Sequence, residues 1–488
     1  MELAKDLKSR QEVRDLVAAA TMAQEQLRRM DQQSIDRIVE SIAKAASDHA
    51  AELAQLAVDE TGFGNVNDKI IKNRFASQTL WNAIRDIKTV GILRKDAENQ
   101  VWDVGVPVGV VAGIVPSTNP TSTIIYKAMI CIKGGNAVVF SPHPNAAGCS
   151  IHTVKLLMEA AERAGCPKGA IGCITLPTMD AVQELMKHPQ VKLILATGGG
   201  AMVRAAYSSG TPAIGVGAGN GPAYLHPSCD LEQSVKQIVR SKTFDNGVVC
   251  ASEQSIILHR SMAKEVELEL QKQGCVILHE DDAKKLAALL FRTNGTMNPA
   301  VVGKTAEQIA EMAGLSIKGT GMKILIAREK GVGKKFAYSM EKLCPVLGLY
   351  EVDDQAQALK LACEILQHEG SGHTFVIHAK DSSVIEQFSL EVPVSRFLVN
   401  TPAALGGIGA TTGLFPALTL GCGAVGGSSS SNNIGPLDLI NIRRVAWGHE
   451  ETETGHNNCE MNNTGQDALL EALTEKLLQR LLKKEHVR

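Results

Sequence analysis

Between residues 109 and 225 the chain alternates two kinds of segment with little between them. GVVAGIVP, NAVVFSP, GCITLP and KLILATGG are short, apolar and rich in β-branched residues. Separating them are TSTIIYKAMICIKGG, NAAGCSIHTVKLLMEAAERAG, MDAVQELMKHP and GAMVRAAYSSG, in which apolar residues recur at helical spacing. A strand with no polar side has no face to show water. Such strands, joined by helices, predict a parallel sheet covered on both faces, so the fold class is α/β. Residues 1 to about 95 read as helices, followed by a strand, turn and strand in VWDVGVPVGVVAGIVP. A second αβ block runs on from about 226, with helix SCDLEQSVKQIVRSKTF and strands EQSIILH, MKILIA, TFVIHA and RFLVN.

A length of 488 residues predicts two or three domains. The net charge of −2 gives no field to attract nucleic acid or an anionic membrane. The opening MELAKDLKSRQEVRDL is charged, so no secretory signal is expected, and no apolar run is long enough to span a bilayer. The 11 cysteines are scattered, and no Cys/His cluster has zinc spacing. Reduced thiols and no metal site are therefore expected, in a cytosolic setting.

Several stretches could carry chemistry. In KTFDNGVVCASEQ, Cys250 is either a buried apolar filler or a nucleophile. ATGGG (196–200) follows an apolar strand and opens a helix, where free amides favour an anion; a plain tight turn reads the same way. GVGAGNGP (215–222) lets two backbones approach, for packing or for a ligand. VPSTNP (115–120) closes the first strand of the sheet, where open α/β sheets bind ligands. Asn119 there either donates to an oxyanion or shapes a turn before Pro120.

Taken together, GIVPSTNPTS, ILATGGG, AAYSSGTPAIGVGAGN, KTFDNGVVCASEQ and TLGCGAVGGSSSSNNIGPLDLINI occur in one order. In them the chain resembles the aldehyde dehydrogenase superfamily over about residues 5–448, most closely its CoA-acylating branch. That branch includes the aldehyde half of bacterial aldehyde–alcohol dehydrogenases and microcompartment enzymes. The resemblance implies a Rossmann-type cofactor domain, an α/β catalytic domain and a small oligomerisation flap. It assigns Cys250 as nucleophile, with Asn119 and the Cys250 amide as oxyanion hole. It places Ile114, Val115, Pro116, Ser117, Thr118 and Asn119, with Gly199, Gly217, Glu341 and Leu420, around a nicotinamide cofactor. Glu341, in EKLCPV, matches the glutamate of the family's EIFGPV, which contacts the nicotinamide ribose.

Two departures carry information. The hydrolytic members' LELGGKSP loop holds a glutamate that activates water; Val216 of GVGAGNGP stands in its place. A thioester there waits for a stronger nucleophile than water, and a thiol such as coenzyme A is one. Ser141, in FSPHP, replaces the lysine that contacts the adenosine ribose. NAD rather than NADP is expected, because no arginine or lysine is evident for a 2′-phosphate. His373, in GSGHTF, is either a structural histidine or the base for the CoA thiol.

The expected substrates are acetaldehyde or propionaldehyde. The alternatives are succinic semialdehyde or sulfoacetaldehyde, for which an arginine such as Arg396 would have to reach the pocket, and a non-catalytic scaffold role. The length leaves no room for a second, iron-binding domain. The expected division is 1–99 with 109–225 for the NAD-binding domain, 226–419 for the catalytic domain and 420–431 returning to the first. Segments 100–108 and 432–448 are expected to form the flap, making a homodimer or a dimer of dimers. Residues 449–467 read as a polar linker and 468–487 as an amphipathic helix. That tail either packs on its own body or a partner subunit, lies on a membrane surface through Lys476, Arg480, Lys483 and Lys484, or, as its resemblance to an encapsulation peptide implies, meets microcompartment shell proteins and places the chain inside a microcompartment of the bacterial cytoplasm.

Overall fold

The computed structural model describes residues 4–317 and 321–448, with Thr474 alone beyond them; the 449–467 and 468–487 assignments otherwise lie outside the described residues. Five parallel strands form the first sheet, in the order Ile171–Cys173, Ala137–Ser141, Val110–Ile114, Val191–Thr197, Ala213–Val216. The chain starts at the central strand Val110–Ile114, steps outward on one side, then crosses to Val191–Thr197 on the other. The crevice between these two strands, at their carboxyl ends, is thus a topological switch point. All five residues of Val110–Ile114 and all five of Ala137–Ser141 are buried, so neither strand shows a face to water.

A second sheet has seven parallel strands, ordered Cys275–Ile277, Ile324–Arg328, Val346–Val352, Ser255–His259, Pro222–Leu225, Gly372–His378, Val394–Val399. Pro222–Leu225 pairs with Ser255–His259 and Gly372–His378. The division expected at 225 is therefore corrected: the junction falls in the glycine loop after Val216, where the chain can turn between sheets.

The third sheet is antiparallel: Gly91–Asp96, Val101–Pro107 and Ile440–Ala446, with the middle strand paired on both sides. It takes in Gly91–Asp96, which the sequence reading had left with the first domain. Among the described residues no helix is long and apolar enough to cross a membrane. One apolar core joins the first parallel sheet to segments that border the second: Val115 of the first, Val249 and Ala251 beside the nucleophile candidate, and Leu420 and Cys422 of the returning segment share it.

Candidate active site

At the switch point, Lys127 projects from the helix Pro120–Lys133, fully buried, and its ammonium donates to the carbonyls of Ile114 (2.7 Å) and Leu195 (2.8 Å). It ties together the ends of the two strands that flank the crevice. Burial pushes its ammonium down to about 7. The Val115 N–H donates to the Ser141 carbonyl (3.0 Å), closing the other side.

The cleft fits a dinucleotide on three observations. Ser141 Oγ and Thr197 Oγ1, both at strand ends, are shielded from solvent without a hydrogen-bond partner. Gly199 caps the helix Gly200–Tyr207 and would meet nothing within 4 Å if it carried a Cβ. Gly217 is equally open, and its N–H lies against the Cys422 thiol. Unpaired hydroxyls and uncrowded backbone amides suit a polar ligand that approaches the main chain. Val115–Asn119 follow the strand Val110–Ile114 and Gly199 follows Val191–Thr197, at the carboxyl ends of the two strands that flank the crevice. Leu420 is buried in the common core, bridging antiparallel to Asn433, and supports the cleft from beneath.

Asn119 caps the helix Pro120–Lys133. Its Nδ2 donates to Thr118 Oγ1 (3.2 Å), while its Oδ1 accepts from Lys72 Nζ. Cys250 follows an unusual turn: Asp245, Asn246 and Gly247 all have left-handed φ, at 48°, 53° and 74°. Two of the three are not glycine, and such strain persists where the surroundings hold it. Here Asp245 accepts from the Asn65 N–H (2.9 Å) and from Lys69 Nζ (3.0 Å), and also pairs with Lys72. Gly219 presses on the next part of the loop: a Cβ there would overlap the Cys250 carbonyl.

The Cys250 side chain is partly exposed, and its own N–H sits against its sulfur. Burial pushes the thiol up to about 12, Glu341 and Cys422 add to this, and Arg396 opposes it. A thiol, not a thiolate, is the resting form. Glu341 is the carboxyl beside it. Its Oε1 accepts from the Gly219 N–H (2.9 Å), and its own N–H donates to Glu369 Oε2 (2.8 Å). Burial, then repulsion from Glu369, lifts Glu341 to about 8, so it is mostly protonated at neutral pH. Val216, at the position where a water-activating glutamate was expected to be missing, is buried in the core.

His373 is fully buried at the start of Gly372–His378. One ring nitrogen meets Thr374 Oγ1 (2.9 Å) and Nε2 has no partner. Burial, with Arg396 nearby, pushes it down to about 3, so the ring is neutral. Among the described residues no hydrogen bond joins Cys250 to Asn119 or to His373. The Arg396 Nη2 donates to the carbonyls of Gly421 (2.7 Å) and Gly372 (3.0 Å), stapling the returning segment to the second sheet, while its Nε is buried without a partner and its charge acts on Cys250.

Sequence reasoning missed the buried lysines. Lys242 donates to Gln254 Oε1 (3.0 Å) and the Lys342 carbonyl (2.9 Å), and Lys342 to the Tyr338 carbonyl (2.8 Å), together fixing the segment that carries Glu341. A lysine inside an otherwise apolar helix, as in TSTIIYKAMICIK, was the available signal for Lys127.

A partly exposed free cysteine, in a molecule with a crevice that fits a dinucleotide, is the arrangement expected of a thiol-dependent oxidoreductase. The chain belongs to the aldehyde dehydrogenase family, whose model matches residues 5–412, and to its CoA-acylating branch. It is 41% identical over 440 residues to the bifunctional aldehyde-alcohol dehydrogenase of Escherichia coli (strain K12), covering 89% of this chain and 49% of the relative. The chain thus spans about half the length of such curated relatives. The succinate-semialdehyde dehydrogenase (acetylating) of Clostridium kluyveri is 35% identical, covering 90% of this chain and 97% of that one. An acetylating aldehyde dehydrogenase from Geobacillus thermoglucosidasius superposes with a TM-score of 0.91 at 50% identity, covering 93% and 100%. Two propionaldehyde dehydrogenases are similar at lower identity. That of the Clostridium phytofermentans fucose utilisation microcompartment has a TM-score of 0.81 at 28%, covering 89% and 97%. That of Rhodopseudomonas palustris, solved with bound CoA and an acylated cysteine, has 0.80 at 27%, covering 89% and 97%.

Proposed function

We propose that this chain oxidises a short neutral aldehyde, acetaldehyde or propionaldehyde, to its acyl-CoA, with NAD as oxidant and Cys250 as acyl carrier. One observation carries the reading. The carboxyl beside Cys250, Glu341, is held protonated and bound to the Gly219 N–H, and the site of a water-activating base is the apolar Val216. An acyl group on Cys250 therefore has no base to ready water against it.

In this scheme the Cys250 thiol first gives its proton to solvent, and the thiolate so formed adds to the aldehyde carbon. The carbonyl oxygen takes up the negative charge and accepts hydrogen bonds from Asn119 Nδ2 and the Cys250 N–H. A nicotinamide dinucleotide bound at the switch point supplies the acceptor for the hydride. The carbon left behind is a thioester of Cys250. The CoA thiol gives its proton to His373 Nε2, its sulfur attacks the thioester carbon, and the bond to Cys250 breaks, restoring the thiolate. Because His373 is neutral down to about pH 3, its availability as acceptor does not change across the physiological range.

A neutral substrate is favoured by the two main-chain carbonyls that hold Arg396 Nη2; succinic semialdehyde or sulfoacetaldehyde would instead have to engage the rest of that guanidinium. NAD is favoured over NADP by the same sequence reading that found no cation for a 2′-phosphate. The resemblance of the 468–487 tail to encapsulation peptides, and the likeness to a microcompartment enzyme, support residence inside a bacterial microcompartment. A reporter carrying residues 449–488 should co-purify with shells; a reporter left behind in the cytosol overturns that assignment.

Mass spectrometry tests the chemistry. Protein mixed with NAD and propionaldehyde, without CoA, should carry a propionyl adduct on Cys250 and release little free acid. Cys250→Ala should lose all acyl-CoA formation. His373→Gln should keep the first turnover of NADH and slow the CoA-dependent step. Rapid release of propionate without CoA would overturn the reading.

A further inference from the structure

We infer that Lys72 is the positioning residue of the oxyanion hole: it turns the Asn119 amide so that its nitrogen is free to donate, and holds that amide in register with the loop of Cys250. The inference rests on the proposed function and deepens it.

The geometry begins with the helix Val66–Arg74, started by Asn65, whose Oδ1 accepts from the Asp68 N–H (2.9 Å). Lys69 and Lys72 are three residues apart and so lie on one face. Both are buried, at 2% and 3% exposure. Lys72 Nζ donates to Asn119 Oδ1 and Asp245 Oδ2, and Lys69 Nζ to Asp245 Oδ2 (3.0 Å) and the Thr118 carbonyl (3.0 Å). A lysine ammonium can donate but not accept. The Asn119 atom facing it must therefore be oxygen, which leaves Nδ2 pointing the other way.

Asp245 is the fixed point of the arrangement. Its backbone N–H donates to Asp68 Oδ2 (2.7 Å), its Oδ1 is taken by the Asn65 N–H, and Gly64 leaves space that a side chain would fill with a clash against the carboxylate. Five residues later comes Cys250. One carboxylate thus joins the nucleophile's loop to the oxyanion loop through two ammonium groups. Burying two such groups is expensive even with Asp245 and Asp68 beside them. Beside Asn119 the charge polarises the amide and strengthens its N–H as a donor to a developing oxyanion.

The charged groups around Lys72 are Asp245, Lys69 and Asp68. Burial pushes its ammonium down to about 8, Asp245 pulls it back, Lys69 pushes it down and Asp68 raises it. Charge-assisted polarisation should therefore fade as pH rises through about 8.

The test is the rate of the first NADH turnover with propionaldehyde and NAD, by stopped flow, in wild type, Lys72→Met, Asn119→Ala and the double variant. Each single variant should be slowed on the order of 10²-fold. The double variant should match Asn119→Ala within about threefold, because Lys72 acts through that amide. The wild-type advantage over Lys72→Met should shrink between pH 7 and pH 9.5. The inference is overturned if Lys72→Met stays within about threefold of wild type, or if its full effect persists on the Asn119→Ala background. Should Lys72→Met not fold, Lys72→Arg, which keeps charge but moves the donor, enters the same cycle under the same criteria. A wild-type chain with no first turnover refutes the proposed function instead.

Discussion

At the scale of single residues, the site is set by groups forced away from their usual protonation. Glu341 illustrates the consequence for stability. Its folded value, about 8, lies above the unfolded value of 4.5. The stability this protonated carboxyl lends is complete below pH 4.5 and is lost as pH rises through about 8, because the unfolded chain ionises first. Glu341→Gln removes that loss. The melting temperature of the variant relative to wild type should climb from pH 5 to pH 8.5, and a flat difference would show that the carboxyl is solvated. Cys250, Asn119 and Glu341 stand out in the sequence as candidates because each lies in a motif of the family. Lys69 and Lys72, in NDKIIKNRF, were not. Lysines at helical spacing read as a solvated face, and nothing local reveals that Asp245, far along the chain, will cover them.

Among the elements, the long apolar strands and their helices could be read from periodicity alone, since burial on both faces leaves an unambiguous pattern. The strands Ala213–Val216, Cys275–Ile277 and Gly91–Asp96 could not. Three to six residues carry too few repeats to establish a period, and their pairing partners decide their state. Glycine-rich turns were visible as turns, but not which of them bear a load. The structure separates two. At Gly219 a Cβ would overlap the Cys250 carbonyl, whereas Gly199, with φ at −62°, faces open space. Gly219→Ala should move the nucleophile's loop and slow the first turnover by more than ~10²-fold, since displacement of about 1 Å is that costly. Gly199→Ala should melt within about 2 °C of wild type and act, if at all, on the Michaelis constant for NAD. Equal damage from both, measured by melting and stopped flow, would refute this distinction.

For the whole molecule, the Arg396 staple ties the returning segment, which shares the first sheet's core, to the second sheet. The seam after Val216 escaped reading because Pro222–Leu225 looks like any other apolar strand until its neighbours are known. The antiparallel sheet bears Ile442 and Val445, 48% and 38% exposed, on an edge strand, with Trp102 and Trp447 packed edge to face at 4.9 Å. An apolar edge invites a partner, and we expect a second copy of this chain there. Sedimentation equilibrium should give a dimer or a dimer of dimers, with a smaller assembly for Ile442→Glu combined with Val445→Glu; a monomeric wild type would remove the expectation. The middle strand of that sheet, Val101–Pro107, is made early in synthesis, yet its partner Ile440–Ala446 comes near the end of the described chain. On the ribosome, then, Val101–Pro107 must wait with one flank unpaired until Ile440–Ala446 has emerged. Chaperone capture of nascent chains should concentrate on that interval.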